Sequence, residues 1–475
     1  MEQLSGLDSA FVHQDSSRTP MHITAVLVYD IGAGEKGAIQ RRSLRRLVTS
    51  RLWQFSVFRR KLRRVALDVD TPYWVEVSRP DLDYHISVRS LGKGSDWADL
   101  EQVLAEIHRQ AMDLSRPLWE LCLIRGLRDL PGLPPRCQAL VLKVHHAAID
   151  GVSLSVILDA VHRRAKGVHN ERAGDQREPD SWDVWARFNL NNLGRQLKFA
   201  KTVRGLVPGF LRARKARSNF GELAPVSASR ARFNDRIGGG RTVGAVIWPR
   251  QDFVKIRRAV RHVTLNDIAL SVVSGALREY LKHYGQLPAR SLVAGVPVNL
   301  RGAGTDSAGG NRIATMMVGL ATVEDDPVDR LRQIHRYAVA AKKRIDALGT
   351  GTVMDISDSV SPNILAGGIK AMAQAGVMAL APVPFHTMVS NVPGPLTPLR
   401  LGSAELVVPM GFGPVRDNMG LFHIVSNSRD RVSLSFNACD RLMPDGAFYR
   451  DCLQRAYLAL LRQATSLPSA SQPDR

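Results

Sequence analysis

Val141-Leu-Lys-Val-His145-His146-Ala-Ala-Ile-Asp150-Gly151 is the stretch from which the fold can be read. The apolar run 139–144 has the length and bounds of a buried strand. It delivers two adjacent imidazoles, and Asp150-Gly151 closes a turn behind them. From 153 to 161 the pattern changes to helical spacing, with Leu154, Ile157, Leu158 and Val161 on one stripe. The expected unit is a strand that presents histidines at its end, followed by a helix. Neighbouring residues of a strand point to opposite faces, so one histidine enters a cleft while the other packs or hydrogen-bonds.

An alcohol is a poor nucleophile at neutral pH, and an imidazole with a pKa near ~6.5 is suited to take its proton. His146 is the candidate base. Asp150, four residues on, either orients the imidazole or turns inward to an arginine that pins the loop. A packed core pair or a metal site would also account for two histidines. No further His/Cys cluster stands at ligand spacing nearby, which argues against a metal.

The full run from His145 to Gly151 resembles the HHxxxDG motif of the coenzyme A-dependent acyltransferase superfamily, which also holds condensation domains and chloramphenicol acetyltransferase. The flanks narrow the likeness. Leu4-Ser-Gly-Leu-Asp8-Ser-Ala-Phe11 and Thr19-Pro20-Met21-His22 resemble the opening of the bacterial wax ester synthase/diacylglycerol acyltransferase family. Asp81-Leu-Asp83-Tyr84-His85, Pro117-Leu118-Trp119-Glu120, Asn266-Asp267 and Ser390-Asn391-Val392-Pro393-Gly394-Pro395 extend it in order over nearly the whole chain.

The resemblance implies two chloramphenicol-acetyltransferase-like domains side by side, with a tunnel between them. Acyl-coenzyme A would enter one face as a substrate, with no further cofactor, and diacylglycerol or a long-chain alcohol the other. It places His145, His146, Asp150 and Gly151 at the chemistry and raises Asn266, Asp267 and Asn391 as oxyanion or acceptor-site candidates. By itself, an Asp in the first turn of a helix is more simply a cap. The resemblance also pairs Asp150 with Arg301 as a structural ion pair, with Arg312 a competing partner. Asp15 stands where relatives tend to carry Glu, which shortens a possible cleft carboxylate. Asn418-Met419-Gly420 replaces a Gly-Met-Gly-like run.

The apolar and charged fractions, 44% and 23%, are those of a globular protein, and 475 residues allow two domains with separate cores. The net charge of +21 calls for an anionic partner. No RNP-like motif, zinc-finger spacing or helix-turn-helix pattern accompanies it, so coenzyme A and acidic lipid rank above nucleic acid. Cys122, Cys137, Cys439 and Cys452 form no CxxC pair and read as reduced, buried thiols of a cytosolic protein. The start lacks the features of a signal peptide. No run of about 18 apolar residues is present, so a membrane would be touched at its surface, at the inner face or on a lipid droplet, and not spanned.

Along the chain, α/β alternation runs through both halves. Strands are expected at 22–29, 73–77, 118–127 and 137–144, and helices at 39–51 and 97–112. Arg59, Arg60, Lys61, Arg63 and Arg64 form a basic cluster that reads as a solvated face or as a contact for phosphates. Between Arg195 and Arg217 come Arg195, Lys198, Lys201, Arg204, Arg212, Arg214, Lys215 and Arg217 with no acidic residue among them. Leu193, Leu197, Ala200, Val203 and Val207 make an apolar stripe there, although Arg204 intrudes on it. Such a segment suits an anionic membrane or lipid-droplet surface, or else is a connector with a solvated basic face.

Asn234, Ile237, Gly238 and Arg241 match an Asn-x-x-Ile-Gly-x-x-Arg pattern of the family. In the second half, strands are expected at 242–248, 291–298, 388–392, 406–410, 421–425 and 432–436. Helices are expected at 265–284, capped by Thr264, at 326–348 and at 445–461. The small apolar stretch 360–380 is core or the lining of an acyl chain. The division expected is an N-terminal acyltransferase domain at 1–185, a basic amphipathic connector at 186–240, a C-terminal domain at 241–465 and a disordered tail at 466–475. The activity expected is transfer of a long-chain acyl group from acyl-coenzyme A to diacylglycerol, a fatty alcohol or both. A relative acting on a polyketide, sugar or other hydroxyl, and a non-catalytic lipid-droplet protein, are the alternatives. Composition and pattern leave the oligomeric state, acyl length and physiological acceptor open.

Overall fold

The computed structural model describes residues 2–32, 37–64, 72–79, 81–149, 154–162, 230–299, 313–348 and 383–467. The first half carries strands β1 (Glu2–Gln3), β2 (His22–Asp30), β3 (Arg60–Arg63), β4 (Tyr73–Glu76), β5 (Ile86–Ser90), β6 (Trp119–Arg128) and β7 (Arg136–His145). The second carries β8 (Arg241–Pro249), β9 (Val293–Asn299), β10 (Ile313–Gly319), β11 (Thr387–Val392), β12 (Arg400–Leu401), β13 (Ala404–Phe412), β14 (Leu421–Asn427) and β15 (Arg431–Cys439). They form two six-stranded mixed sheets, β12-β13-β2-β7-β6-β5 and β10-β9-β11-β14-β15-β8, and a small sheet β1-β4-β3.

Strand β7 lies at the centre of the first sheet, and its residues from Cys137 to His145 are all buried. Its alternation explains why. Leu140, Leu142 and Val144 enter one apolar cluster with Leu44, Phe58 and Ile157. Cys137, Ala139 and Val141 enter another, with Leu100 and Leu104 of the helix Trp97–Arg109. A strand covered on both faces needs a continuous apolar run, and each buried leucine contributes roughly 1.5–3 kcal/mol relative to exposure. Lys143 interrupts that run with a buried cation, and it is satisfied. Its Nζ pairs with Glu120 at 2.9 Å and donates to Ile107 O and Gln110 O, the carbonyls that end the Trp97–Arg109 helix.

A cut at residue 240 does not separate the two sheets. β12 and β13, from the C-terminal half, complete the first sheet, with β13 antiparallel to β2 from Phe412↔Thr24 to Glu405↔Asp30. The same strand is held to the second sheet, where Ser433 Oγ donates to Pro409 O and Ser435 Oγ to Gly411 O. Val408, Met410 and Phe412 therefore share a cluster with Val26, Val141, Val243 and Ala245.

The second domain is built around the helix Leu265–His283, which is buried along most of its length. Thr264 caps it through a reciprocal box with Asp267, and the helix Gly446–Ser466 packs against it. The helix expected at 39–51 is α-helical from Arg41 to Leu47 and widens into a π turn over Val48–Leu52. The helices Gly6–Gln14 and Arg250–Ala259 and the strands β5 and β10 are further elements that the sequence reading left unassigned.

Candidate active site

The two histidines part company at the end of β7. His145 is fully buried and pairs across to His22 of β2. Its Nδ1 accepts the Ala147 N–H at 3.2 Å, which leaves Nε2 to face Asp15 Oδ1 at 3.7 Å. His146 opens a short 3-10 turn, His146–Ala148, and is partly exposed. Its ring stacks on Phe11, with centroids 3.8 Å apart and planes 23° from parallel. Its backbone N–H donates to Met21 O at 2.8 Å.

Phe11 comes from the helix Gly6–Gln14, whose N-terminus is capped by Ser5 through the Asp8 N–H. Asp15 ends that helix, and its Oδ1 also accepts the Met21 N–H at 2.7 Å. The segment from Asp15 to His22 thus threads past both histidines, touching one by a carboxylate and the other by a carbonyl. Ser16 and Thr19 brace the turn by a mutual 2.7 Å contact between their hydroxyls.

That segment is clamped to the C-terminal half. Arg18 grips Asp417 in a two-pronged pair, Nη1 to Oδ1 at 2.6 Å and Nη2 to Oδ2 at 3.1 Å. Asp417 Oδ1 also takes the Ile237 N–H, and Arg241 donates to Arg18 O, Gly238 O and Gly240 O. Asn234 completes the clasp, giving both amide hydrogens to His386 O and Asn418 O. The Asn234, Ile237, Gly238 and Arg241 pattern is therefore a buckle between halves. Sequence reasoning missed Arg18 and Asp417; Arg18 had the signal of lying between two quoted motifs, whereas Asp417 had none.

The other motif residues lie apart from this cluster. Asp81 caps the helix Leu82–His85, and His85 stacks on Trp119 at 4.2 Å while sharing a hydrogen bond with its carbonyl. These two motifs interlock with each other. In the second domain, Asp267 is committed to the Thr264 cap and to His335 Nδ1 at 2.9 Å. Asn266 has its Oδ1 buried with no hydrogen-bond partner. Asn391 is exposed on β11, opposite Val425 of β14. Among the described residues, none of these three forms a hydrogen bond, ion pair or ring contact with His145 or His146. After β11, Gly394 passes so close to Asn427 O that a Cβ there would meet it at 1.9 Å. Asp150, Gly151, Arg301, Arg312, the stretch 360–380 and the cations Arg195, Lys198, Lys201, Arg204, Arg212, Arg214, Lys215 and Arg217 lie outside the described residues.

A second histidine group sits beneath the site, unread in the sequence. His108 points from the Trp97–Arg109 helix into the seam between the sheets. Asn437 Nδ2 donates to its Nε2 at 2.9 Å and also to Gly413 O, which fixes the amide orientation. His108 Nδ1 is then the protonated nitrogen and donates to Thr24 Oγ1 at 2.8 Å. Burial, with Arg241 and Lys143 nearby, pushes the His108 pKa down to about 3. His22, whose Nε2 donates to His108 O, is likewise held well below the usual imidazole range by burial and by His108. Both are neutral structural donors at ordinary pH.

Among the described residues no group of three His, Cys, Asp or Glu side chains is placed to hold a metal ion, and no helix is long and apolar enough to cross a membrane. What the cluster offers chemically is one partly exposed imidazole, braced on its face and backbone, beside a buried imidazole–carboxylate pair.

Comparison with known proteins accords with this arrangement. The wax ester synthase/diacylglycerol acyltransferase catalytic domain profile matches residues 4–269, and the C-terminal domain profile of the same family matches residues 309–460. A Mycobacterium tuberculosis H37Rv protein named a probable diacylglycerol O-acyltransferase is 29% identical over 459 residues, 94% of this chain and 95% of the relative. Another protein of that strain, also carrying the diacylglycerol O-acyltransferase name, is 30% identical over 451 residues, 93% of this chain and 95% of its own. In fold, the chain is similar to the wax ester synthase/diacylglycerol acyltransferase of Marinobacter aquaeolei VT8, with a TM-score of 0.66, 23% identity and coverage of 97% and 99%. It is also similar to the trichothecene 15-O-acetyltransferase of Fusarium sporotrichioides, with a TM-score of 0.57, 12% identity and coverage of 97% and 94%. The chain belongs to the wax ester synthase/diacylglycerol acyltransferase family and is an O-acyltransferase.

Proposed function

We propose that the protein moves a long-chain acyl group from acyl-coenzyme A to diacylglycerol, to a fatty alcohol, or to both, with His146 as the general base. The observation that carries this is the difference between the two imidazoles. His145 is buried and directed to Asp15, whereas His146 is partly exposed and braced by Phe11 and Met21 O. A base needs reach to its proton, and only the second ring has it. His146 takes the acceptor hydroxyl proton, and the oxygen attacks the thioester carbonyl. The tetrahedral oxyanion collapses, the C–S bond breaks, and the imidazolium returns its proton to the departing thiolate. No covalent enzyme intermediate is needed.

The amide of Asn266, presented by the Thr264–Asp267 cap, is our candidate donor to the oxyanion, the interaction that usually dominates acyl transfer. Asn391 is the candidate contact for the acceptor. Asp150 and Gly151 would close the loop behind His146, with Asp150 pinned by Arg301. We place the substrates in a tunnel between the two sheets. The basic segment from Arg195 to Arg217 completes the reading: its cations would hold the protein on an anionic membrane or lipid-droplet surface. Purified protein incubated with palmitoyl-coenzyme A and either diolein or hexadecanol should release free thiol and form the matching ester. His146→Ala should abolish turnover with little change in thermal midpoint. A variant that keeps its activity would remove His146 as the base; wild type without ester product would remove both acceptors.

A further inference from the structure

At the opposite end of β7 from the histidines lies a cavity of about 630 Å³. Its size is within the roughly 300–1,000 Å³ of small-molecule sites. Eight residues of strand separate Cys137 on its wall from His145, or about 27 Å at the usual rise per residue. Among the described residues the lining includes Arg41, Arg42, Arg125, Arg128 and Arg136, and no carboxylate.

Local structure explains how these cations converge. Pairing of β6 with β7 slips between Ile124 and Leu127, and Gly126 takes a φ of +86° in the bulge. A Cβ at Gly126 would meet Leu91 O at 2.8 Å, so the bulge is built for glycine. Bulges of this kind re-aim the side chains beside them. Past it, Arg128 stands directly opposite Arg136.

The protein satisfies some of these groups itself. Arg41 donates from Nε to Ile86 O and from Nη2 to Asp83 Oδ1, both at 3.0 Å. The side chains of Arg42, Arg125 and Arg128 make no hydrogen bond or ion pair with any described residue, and Arg125 Nε is buried without an acceptor. Gln138 adds a polar floor, its Oε1 held by the Ile39 N–H at 2.7 Å. A buried donor without a partner is costly, and guanidinium groups match phosphate oxygens by paired hydrogen bonds.

We propose that this cavity is a binding site for a small phosphorylated ligand, with Arg42, Arg125 and Arg128 as its phosphate donors. The site is separate from the acyl-transfer centre and its reading stands independently of which acceptor that centre uses. The same chemistry would come from a soluble diphosphate or from a lipid phosphate headgroup. Titration calorimetry on the full chain with inorganic pyrophosphate and with ADP tests the first source; flotation with phosphatidic acid vesicles tests the second.

The variants are Arg125→Gln/Arg128→Gln and, separately, Arg42→Gln, each checked for an unchanged melting midpoint. We expect saturable binding in one arm and at least a tenfold loss of affinity in the double variant, with thiol release from palmitoyl-coenzyme A in ligand-free buffer unchanged. Loss confined to pyrophosphate and ADP identifies a soluble ligand, and loss confined to vesicles identifies a headgroup. Binding that is absent in both arms, or equal in wild type and all variants, overturns the proposal. Arg42→Gln provides the same readout should the double variant fail to fold.

Discussion

Breaking the pair between Arg18 and Asp417 should injure catalysis more than stability. The pair has two good hydrogen bonds, at 2.6 and 3.1 Å, and Arg18 Nη1 also reaches Ile237 O at 3.2 Å. Hydrogen bonds to charged groups contribute about 1.5–3 kcal/mol. The side chains are 31% and 13% exposed, so solvent screening brings the pair down to about 1–3 kcal/mol in all. For a chain of this length, that lowers the melting midpoint by no more than about 5 °C. The consequence for activity is larger, because Arg18 tethers the segment whose Met21 carbonyl holds His146 and whose Asp15 faces His145. A displacement near 1 Å in such a positioning element can cost about a hundredfold. Arg18→Ala should therefore lower kcat about ten- to a hundredfold in the thiol-release assay. Arg18→Ala/Asp417→Ala should be no worse than the poorer single variant, since both remove one interaction. An Arg18→Ala enzyme within twofold of wild-type kcat would refute the reasoning, as would additive losses in the double variant.

Phe11→Ala removes the face on which His146 stacks; such contacts are worth about 0.5–1.5 kcal/mol beyond area burial, so kcat should fall about threefold to tenfold. Equal kcat in Phe11→Ala and wild type would show that the stack does not position the ring. Asp15→Asn can keep the Met21 N–H bond but removes the charge 3.7 Å from His145, and should lower kcat by about threefold or more at unchanged melting midpoint. A fall in the midpoint without a fall in kcat would make Asp15 purely structural. Stability should decline as pH drops below about 6.5. His108 and His423 have folded-state pKa values pushed down to about 3 by burial, so the unfolded chain takes up their protons first. Each then removes up to about 1.4 kcal/mol per pH unit. Urea midpoints that stay flat or rise between pH 7 and 5 would contradict this.

How much of this was legible depended on whether the signal was local. β7 and the parting of the two histidines at its end were readable because an apolar run ending in His145-His146 is a local pattern. The Thr264 cap was readable for the same reason, since Thr264 and Asp267 satisfy each other within one turn. The helix Pro327–Leu348 was readable from its spacing, with Val328, Leu331, Ile334 and Ala341 buried and Ala338 partly so. What escaped was long-range. Nothing around 404–412 announces that this strand pairs with β2 and not with its own neighbours. Asp417 becomes meaningful only beside Arg18, 399 positions away. His108 lies on the apolar side of an amphipathic helix, where its partners Thr24 and Asn437 are invisible from sequence. Arg125 and Arg128 carry no local signal in the sequence, and only the bulge at Gly126 turns them into the wall of a cavity.

The sharing of β13 has a mechanical consequence. The histidine-bearing strand β7 is flanked by β2, and β2 is flanked by β13, so the C-terminal half sets the position of the strand beside the histidines. Three further ties cross at the same seam. Ser433 and Ser435 hold β13 from behind, Asn437 holds His108, and Asp417 holds Arg18. A hinge that swung the halves apart would have to break hydrogen bonds whose donors or acceptors are buried, each at a cost of about 1–3 kcal/mol if left unpaired. Those ties hold the imidazole pair at a fixed position relative to both sheets.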